Sequence, residues 1–563
     1  MRIQSINSPF SRLAVGVFTP KVTNKFLFKP VYDTVSFTAR DKNLLSAQEG
    51  EAASNKLKTS TSGYRAALDD KFNDKFVYSM TNAVVKDMNR RNQDTTIIGG
   101  DTREATKRYA PVIRNIFLSN GIDVHVPQLN KGDKNEISPV ASPVLALATK
   151  EFGVPLGILL TASHNPWQDG GYNFLTDEAS VADDTKTRPI ADNLALITKE
   201  GMVDKYQRAR GIAFPFDPYE LYNKYIEEHQ LIDFDNIRNG GIDIFYEDFG
   251  GTGGYYFPRL MKDHGIEIKE TLSSKTEGPN PTAGNLKNLA KEVKKSDNPL
   301  RIGLATDGDS DRFGIVDENG KFISTPDVIM LSAYHLIKNK GMTQGTIVKN
   351  QATSDKIDTM VEHFNKKGCD IDVEQTPVGF KYLGGKMIEL EHTSKPAIVV
   401  GEESGGLTIR GHIPEKDGFV AISTILDLMA TEKRPISEIL NDINAEIGGD
   451  HVTNCINMKF ATDDKKDNAV SSFTPYFDGE KTEIAGMNID YEKTYEIDAK
   501  LRKYKPNGDG LKIYLENGSS VLIRKSGTEP VLRLYIDATD QDSYDKLEDF
   551  LVGKTVKLGG AKK

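Results

Sequence analysis

From about residue 58 onward the chain alternates between short apolar strands and helix-length amphipathic stretches, and this alternation restricts it to a layered α/β architecture. Residues 95–99, 123–127 and 154–160 read as buried strands, with a helix-like stretch at 109–118 between the first two. A second cycle opens at 242–246, continues through a Gly-rich turn and the helix-like 256–264, and closes on a strand at 301–305. A third runs through 346–349, 355–366, 397–400 and 419–430. The last segment differs: strands are expected at 494–497, 511–514, 520–524 and 532–537, with a closing helix at 541–551. The pattern predicts three similar α/β domains with mixed sheets plus a C-terminal α+β domain, around a central cleft. The expected limits are 58–215, 216–325, 326–440 and 441–563, and the recurrence suggests tandem duplication.

A length of 563 residues requires several cores, because single cores stop growing well short of that. The net charge of −9 argues against a nucleic-acid partner, and no apolar run is long enough to span a membrane. Cys369 and Cys455 are the only cysteines, too few for a disulfide framework or a zinc site, and a reducing cytoplasm fits best. Residues 1–57 show no sustained period, contain Phe18-Thr-Pro20 and Phe28-Lys-Pro30 breaks, and are expected to form a loose extension.

Four loops carry candidate chemistry. Thr161-Ala-Ser-His-Asn-Pro166 follows the strand at 154–160, which places the Ser163 hydroxyl and the His164 imidazole where α/β sheets gather active-site residues. On its own, such a segment also reads as a tight turn. Asp307-Gly-Asp-Ser-Asp-Arg312 follows the strand at 301–305, and its alternating carboxylates can converge on a hard cation such as Mg²⁺. An EF-hand is disfavoured, since Arg312 stands where the sharp turn needs Gly. A haloacid-dehalogenase-type phosphatase also has Asp-x-Asp after a strand, but not the Ser310-Asp311 that follows here. Gly401-Glu-Glu-Ser-Gly-Gly406 suits a polyol or a solvated turn equally. Arg524-Lys-Ser-Gly-Thr-Glu-Pro530, with Arg533 close behind, offers a guanidinium, two hydroxyls and the backbone N–H groups around Gly527 to a phosphate. Gly250-Gly-Thr-Gly-Gly254 lacks the spacing of a dinucleotide loop.

In this order the four loops resemble those of the α-D-phosphohexomutase superfamily, which contains phosphoglucomutases and phosphomannomutases. Thr61-Ser-Gly-Tyr-Arg65, Gly100-Asp-Thr-Arg103, Thr376-Pro-Val-Gly-Phe-Lys381 and His412-Ile-Pro-Glu-Lys-Asp-Gly418 have counterparts there too, so the likeness runs from about residue 58 to the C-terminus. The resemblance implies an isomerase that interconverts hexose 1-phosphate and hexose 6-phosphate, as a monomer or dimer. Ser163 would be the phosphoryl carrier, assisted by His164, Arg65 and Arg312. Mg²⁺ would be held by Asp307, Asp309, Asp311 and a phosphoserine oxygen. Thr376, Gly379, Lys381, Glu402, Ser404 and Lys416 would bind sugar phosphate, and Arg524, Ser526, Gly527, Thr528 and Arg533 would grip the non-reacting phosphate. A hexose 1,6-bisphosphate would serve as intermediate and activator. Glu402-Glu403-Ser404 resembles the phosphoglucomutase form of the sugar loop, which favours glucose over mannose. One position departs from the family: Asp169-Gly-Gly-Tyr-Asn173 puts Asn where the usual general-base candidate is Lys. A sugar phosphatase and a catalytically impaired sugar-phosphate-binding homologue are the alternative readings.

Overall fold

A computed structural model describes residues 41–60, 63–129, 137–204, 210–271, 278–504, 510–526 and 530–562. Three mixed sheets share one arrangement. In the first, Asp123–Pro127 lies beside Thr95–Gly100, then Leu156–Leu160, and finally the antiparallel Asp169–Thr176. The second repeats this order with Ile268–Glu270, Asp243–Glu247, Arg301–Thr306 and Phe313–Val316. The third repeats it again with Asp370–Thr376, Gln344–Asn350, Ala397–Glu402 and Gly406–Ile409. Each sheet therefore carries, towards one edge, a hairpin whose first strand runs parallel to the buried centre and whose second turns back. Tyr64–Ala67 and Ala213–Phe216 extend the first sheet, and Phe322–Ile323 extends the second.

The central strands are largely apolar and buried because helices cover both faces. Leu156–Leu160 and Ala397–Glu402 are buried at every position. The C-terminal domain is antiparallel, with Val452–Lys459, Gly510–Leu515, Ser520–Lys525 and Val531–Ala538 at its centre. One face of that sheet packs Ile513, Val521, Ile523, Leu532, Leu534 and Ile536 against the closing helix Gln541–Lys557. The alternate residues face the third domain and the cleft. Among the described residues, no helix is long and apolar enough to cross a membrane.

Two expectations need correction. Residues 494–497 are not a strand but part of the helix Tyr491–Tyr504. Thr494, Ile497 and Leu501 recur at helical spacing, and the Asp490 carboxylate accepts the Lys493 N–H at 3.0 Å as a cap. The expected loose extension also ends before residue 57, because Ala47–Thr59 is a helix with a Ser46–Glu49 capping box. Leu44, Leu45, Ala53 and Leu57 enter the first domain's core. At Gly50 a Cβ would lie 2.0 Å from the Thr198 hydroxyl, so only glycine permits this helix to approach Asp184–Glu200 so closely.

Candidate functional site

The three equivalent hairpins deliver the three chemical loops. Ser163 lies between Leu156–Leu160 and Asp169–Thr176, the acidic loop between Arg301–Thr306 and Phe313–Val316, and Glu402-Glu403-Ser404 between Ala397–Glu402 and Gly406–Ile409. Both Ser163 (φ 52°) and Ser310 (φ 60°) adopt left-handed backbone, an uncommon conformation for residues with a Cβ that recurs at functional loops.

The serine loop is wound around one buried guanidinium. Arg103 donates through Nη2 to the carbonyls of Ser163 and Asn165, the latter at 2.7 Å, and through Nη1 to those of Pro166 and Asp169. Its charge is balanced by Asp101 at 2.9 Å, and Asp101 also accepts from the Thr161 hydroxyl at 2.6 Å. Thr161 Oγ1 in turn accepts the Ser163 N–H at 2.8 Å. Burial raises the Asp101 carboxyl to about 6 despite the arginine beside it. The sequence held Arg103 in its Asp-Thr-Arg motif, but no local signal shows that it binds carbonyls about sixty positions downstream.

Ser163 Oγ points across the domain boundary. It donates to Asp307 Oδ2 at 2.8 Å and lies 3.2 Å from His164 Nδ1. Asp307 Oδ1 accepts the N–H groups of Asp311 and Arg312, both at 3.1 Å. Ser142 secures Asp309 from the first domain, its hydroxyl reaching Oδ2 at 2.6 Å. Lys416 of the third domain reaches Asp311 Oδ2 at 2.9 Å. Three domains thus converge on one acidic loop.

Electrostatics define what this loop can hold. Carboxylate oxygens of Asp307, Asp309 and Asp311 lie within 4.8 Å of one another, all three residues buried. Burial and its two neighbours push the Asp307 carboxyl well above the usual range, and burial with Asp309 raises Asp311. Asp309 Oδ1 and Asp311 Oδ1 are buried without a hydrogen-bond partner. All-oxygen donors with open lone pairs and mutual repulsion suit a hard divalent cation, so the residues present fit Mg²⁺. Around them lie cations. Arg312, then burial, then Arg65 push the His164 imidazole far below its ordinary value, so it is neutral here. Arg65 donates to the Ala162 carbonyl at 3.3 Å, and burial lowers its guanidinium while Asp309 opposes that shift.

The remaining expected residues divide. Glu402 accepts from the Ser404 hydroxyl at 2.7 Å beside the acidic loop, where Gly405 O accepts the Phe313 N–H at 3.2 Å. Arg524 and Arg533 face each other on neighbouring strands, and Ser526 follows with its N–H on the Val531 carbonyl at 2.9 Å. Gly527 and Thr528 lie outside the described residues. Thr376 is buried with its hydroxyl on the Pro377 carbonyl, and Gly379 (φ 127°) precedes the helix Phe380–Leu390. Lys381 is committed to Asp184 of the first domain at 2.7 Å and does not join the acidic loop. A cavity of about 420 Å³ runs from His164 and Arg312 past Glu403 and Ser404 to the C-terminal sheet. Glu403 is held there by the Asn350 amide at 2.8 Å, a contact the sequence did not indicate.

Asn173 is buried in its strand, and its amide donates to the carbonyls of Thr161 at 2.8 Å and Leu159 at 3.2 Å. It fastens the base of the serine loop and presents no basic group.

A strained hydroxyl against a carboxylate triad, with arginines on the facing sheet, defines a site of the phosphoryl-transfer class. Comparison with known proteins narrows the class. Four family descriptions match in succession: "Phosphoglucomutase/phosphomannomutase, alpha/beta/alpha domain I" over residues 56–200, domain II over 220–320, domain III over 325–446 and the C-terminal domain over 487–554. A phosphoglucosamine mutase of Marinomonas sp. is 23% identical over 482 residues, covering 84% of this chain and 92% of its own. A phosphoglucomutase/phosphomannomutase of Thermococcus kodakarensis is 24% identical, covering 80% and 88%. Among solved structures, a phosphoglucomutase/phosphomannomutase family protein of Burkholderia thailandensis superposes with a TM-score of 0.67 at 18% identity, covering 90% of this chain and 99% of its own. The pp63/parafusin phosphoglucomutase of Paramecium gives 0.66 at 20%, covering 89% and 94%. The chain belongs to the α-D-phosphohexomutase superfamily and is a phosphohexomutase isomerase of the phosphoglucomutase/phosphomannomutase type.

Proposed function

We propose that the protein interconverts hexose 1-phosphate and hexose 6-phosphate, glucose phosphate before mannose phosphate, through a phosphorylated Ser163 and a hexose 1,6-bisphosphate. The observation that carries this reading is the Ser163 Oγ–Asp307 contact of 2.8 Å, which joins the hydroxyl to the acidic triad across two domains. In the forward half-reaction the Ser163 Oγ–phosphorus bond breaks as a sugar hydroxyl forms the new oxygen–phosphorus bond. The hydroxyl loses its proton and the seryl oxygen gains one. The second half-reaction returns the other phosphoryl group to Ser163, and hexose 1,6-bisphosphate supplies the first one.

Asp307, Asp309 and Asp311 would hold Mg²⁺, whose charge offsets that on the transferring group. Arg65, Arg312 and Lys416 surround that position with positive charge, and phosphate arriving among them relieves the field that keeps His164 neutral. His164 Nδ1, 3.2 Å from Ser163 Oγ, is placed to exchange the seryl proton. Glu402 and Ser404 would bond sugar hydroxyls, and Arg524 with Arg533 would hold the phosphate that is not reacting.

Purified protein supplied with Mg²⁺ and catalytic hexose 1,6-bisphosphate is expected to convert glucose 1-phosphate fastest in a panel that includes mannose 1-phosphate and glucosamine 1-phosphate. Release of free phosphate without isomer would move the reading to a phosphatase. Binding without turnover would move it to a sugar-phosphate-binding homologue.

Asn173 bears on the rate. An Asn173→Lys variant restores an amine at the base of the serine loop, and its kcat is expected to rise by up to about 10²-fold, within the usual worth of general-base help. An unchanged or lower kcat in a variant that melts like wild type would show that no base is missing.

A further inference from the structure

The cavity's far wall is a buried ionic junction between the third and fourth domains. Asp355 receives Lys349 Nζ at 2.6 Å from its own domain, then Lys512 Nζ at 3.0 Å and Ser520 Oγ at 2.6 Å from the fourth. A second carboxylate answers in the opposite direction. Asp537 of the fourth domain accepts from Ser354 Oγ at 2.9 Å and from the Asp355 N–H at 2.5 Å, and its Oδ1 lies 2.8 Å from His451 Nδ1. Lys349, Asp355, Lys512, Ser520 and Asp537 are all buried. Lysines and aspartates are seldom fully buried unless paired, and unpairing them is costly, so this junction has a definite geometry.

Its position on the sheet gives it a consequence. Ser520 pairs with Asp537, Leu522 with Tyr535, and Arg524 with Arg533, on the face turned away from the fourth domain's own core. The junction and the arginine pair are therefore rungs of one two-stranded ladder, four residues apart, or about 13 Å at strand rise. The covalent link between the domains is permissive by contrast. It passes through Gly448 (φ 95°) and Gly449 (φ 139°), where an added Cβ would meet nothing within 4 Å.

We propose that the Asp355–Lys512–Ser520 and Asp537–Ser354 contacts act as one anchor that fixes the pitch of the C-terminal sheet about the Gly448-Gly449 link, and so places the Arg524/Arg533 rung over the cleft. Asp355 and Asp537 are positioning residues in this scheme, and both act through the ladder. The inference rests on the mutase reading only for the identity of what the arginines grip.

The test uses the full chain with Ser354→Ala and Ser520→Ala combined, which removes a hydroxyl tie to each carboxylate and leaves every buried charged side chain in place, with a melting temperature close to wild type as the check that it folds. Spin labels at Glu391→Cys and Asp549→Cys, in a Cys369→Ser/Cys455→Ser background, report the separation of the third and fourth domains. The variant's distance distribution is expected to broaden relative to the same labelled protein without the alanines. KM for glucose 1-phosphate is expected to rise between about 5- and 100-fold with a smaller change in kcat. An unchanged distribution overturns the anchor whatever the kinetics show. A broadened distribution with unchanged KM overturns the placement of the arginines. If the unsubstituted protein shows no mutase turnover, the distance measurement still decides the anchor, which separates this inference from the functional one.

Discussion

A Ser163→Ala variant is expected to lose at least about 10⁴-fold in hexose phosphate isomerisation, the scale seen when a covalent nucleophile is removed. The substitution leaves the loop's supports in place. Arg103 bonds the Ser163 carbonyl and Thr161 bonds its N–H, so both contacts are to the backbone. Only the Oγ contacts to Asp307 and His164 disappear. Alanine at φ 52° is no worse placed than serine, so melting temperature should stay close to wild type. The accompanying readout is intact mass after incubation with hexose 1,6-bisphosphate, where wild type gains one phosphoryl group and the variant none. Activity within tenfold of wild type would remove Ser163 from the mechanism.

Asp307→Asn is expected to separate stability from activity. Asparagine can still accept the Asp311 and Arg312 N–H groups, and it removes a carboxyl whose ionised form is disfavoured by burial and by its two neighbours. In chelator the variant should therefore melt higher than wild type. Adding Mg²⁺ should raise the melting temperature of wild type clearly and that of the variant little, because ligand binding stabilises only the state that binds. Isomerase activity should fall by at least about 10²-fold, since the site loses a ligand charge beside the transferring group. Equal Mg²⁺-induced shifts in both proteins would show that the triad does not hold the cation.

Most of the fold was legible because buried parallel strands are mainly apolar and give way to polar, Gly-, Ser- or Asp-containing loops. Residues 154–160, 301–305 and 397–400 show this pattern, and the loop after each proved to be a hairpin connection. The helix Tyr491–Tyr504 was misread because Thr, Tyr and Ile favour strands, and its packing on the C-terminal sheet outweighs that preference. The helix Ala47–Thr59 did carry a signal, Ser46 followed three residues later by Glu49, which the aperiodic sequence before it obscured.

Candidate site residues were legible where several carboxylates fall in one loop, as in the acidic triad. They were hidden where function arises from pairing across distance. Arg103 with four loop carbonyls, Lys381 with Asp184, and Asp355 with Lys512 are contacts that no local spacing encodes. Asn173 was visible as a departure, but its role as a fastener of the Thr161 carbonyl needed the strand register that sets it opposite Leu159.

The repetition of one strand order in three sheets has an evolutionary reach of its own. Each copy retains the same hairpin, but the connecting loops differ in chemistry: one presents a serine hydroxyl, one gathers carboxylates and one carries Glu402, Glu403 and Ser404, an arrangement that under the proposed function divides phosphoryl transfer, cation binding and sugar recognition among them. If the loop at residues 401–406 reads the sugar as proposed, its own sheet lets selection rewrite preference there without disturbing the serine or the acidic loop. Division of labour among duplicated parts would let such a scaffold diversify its substrates while its chemistry stays fixed.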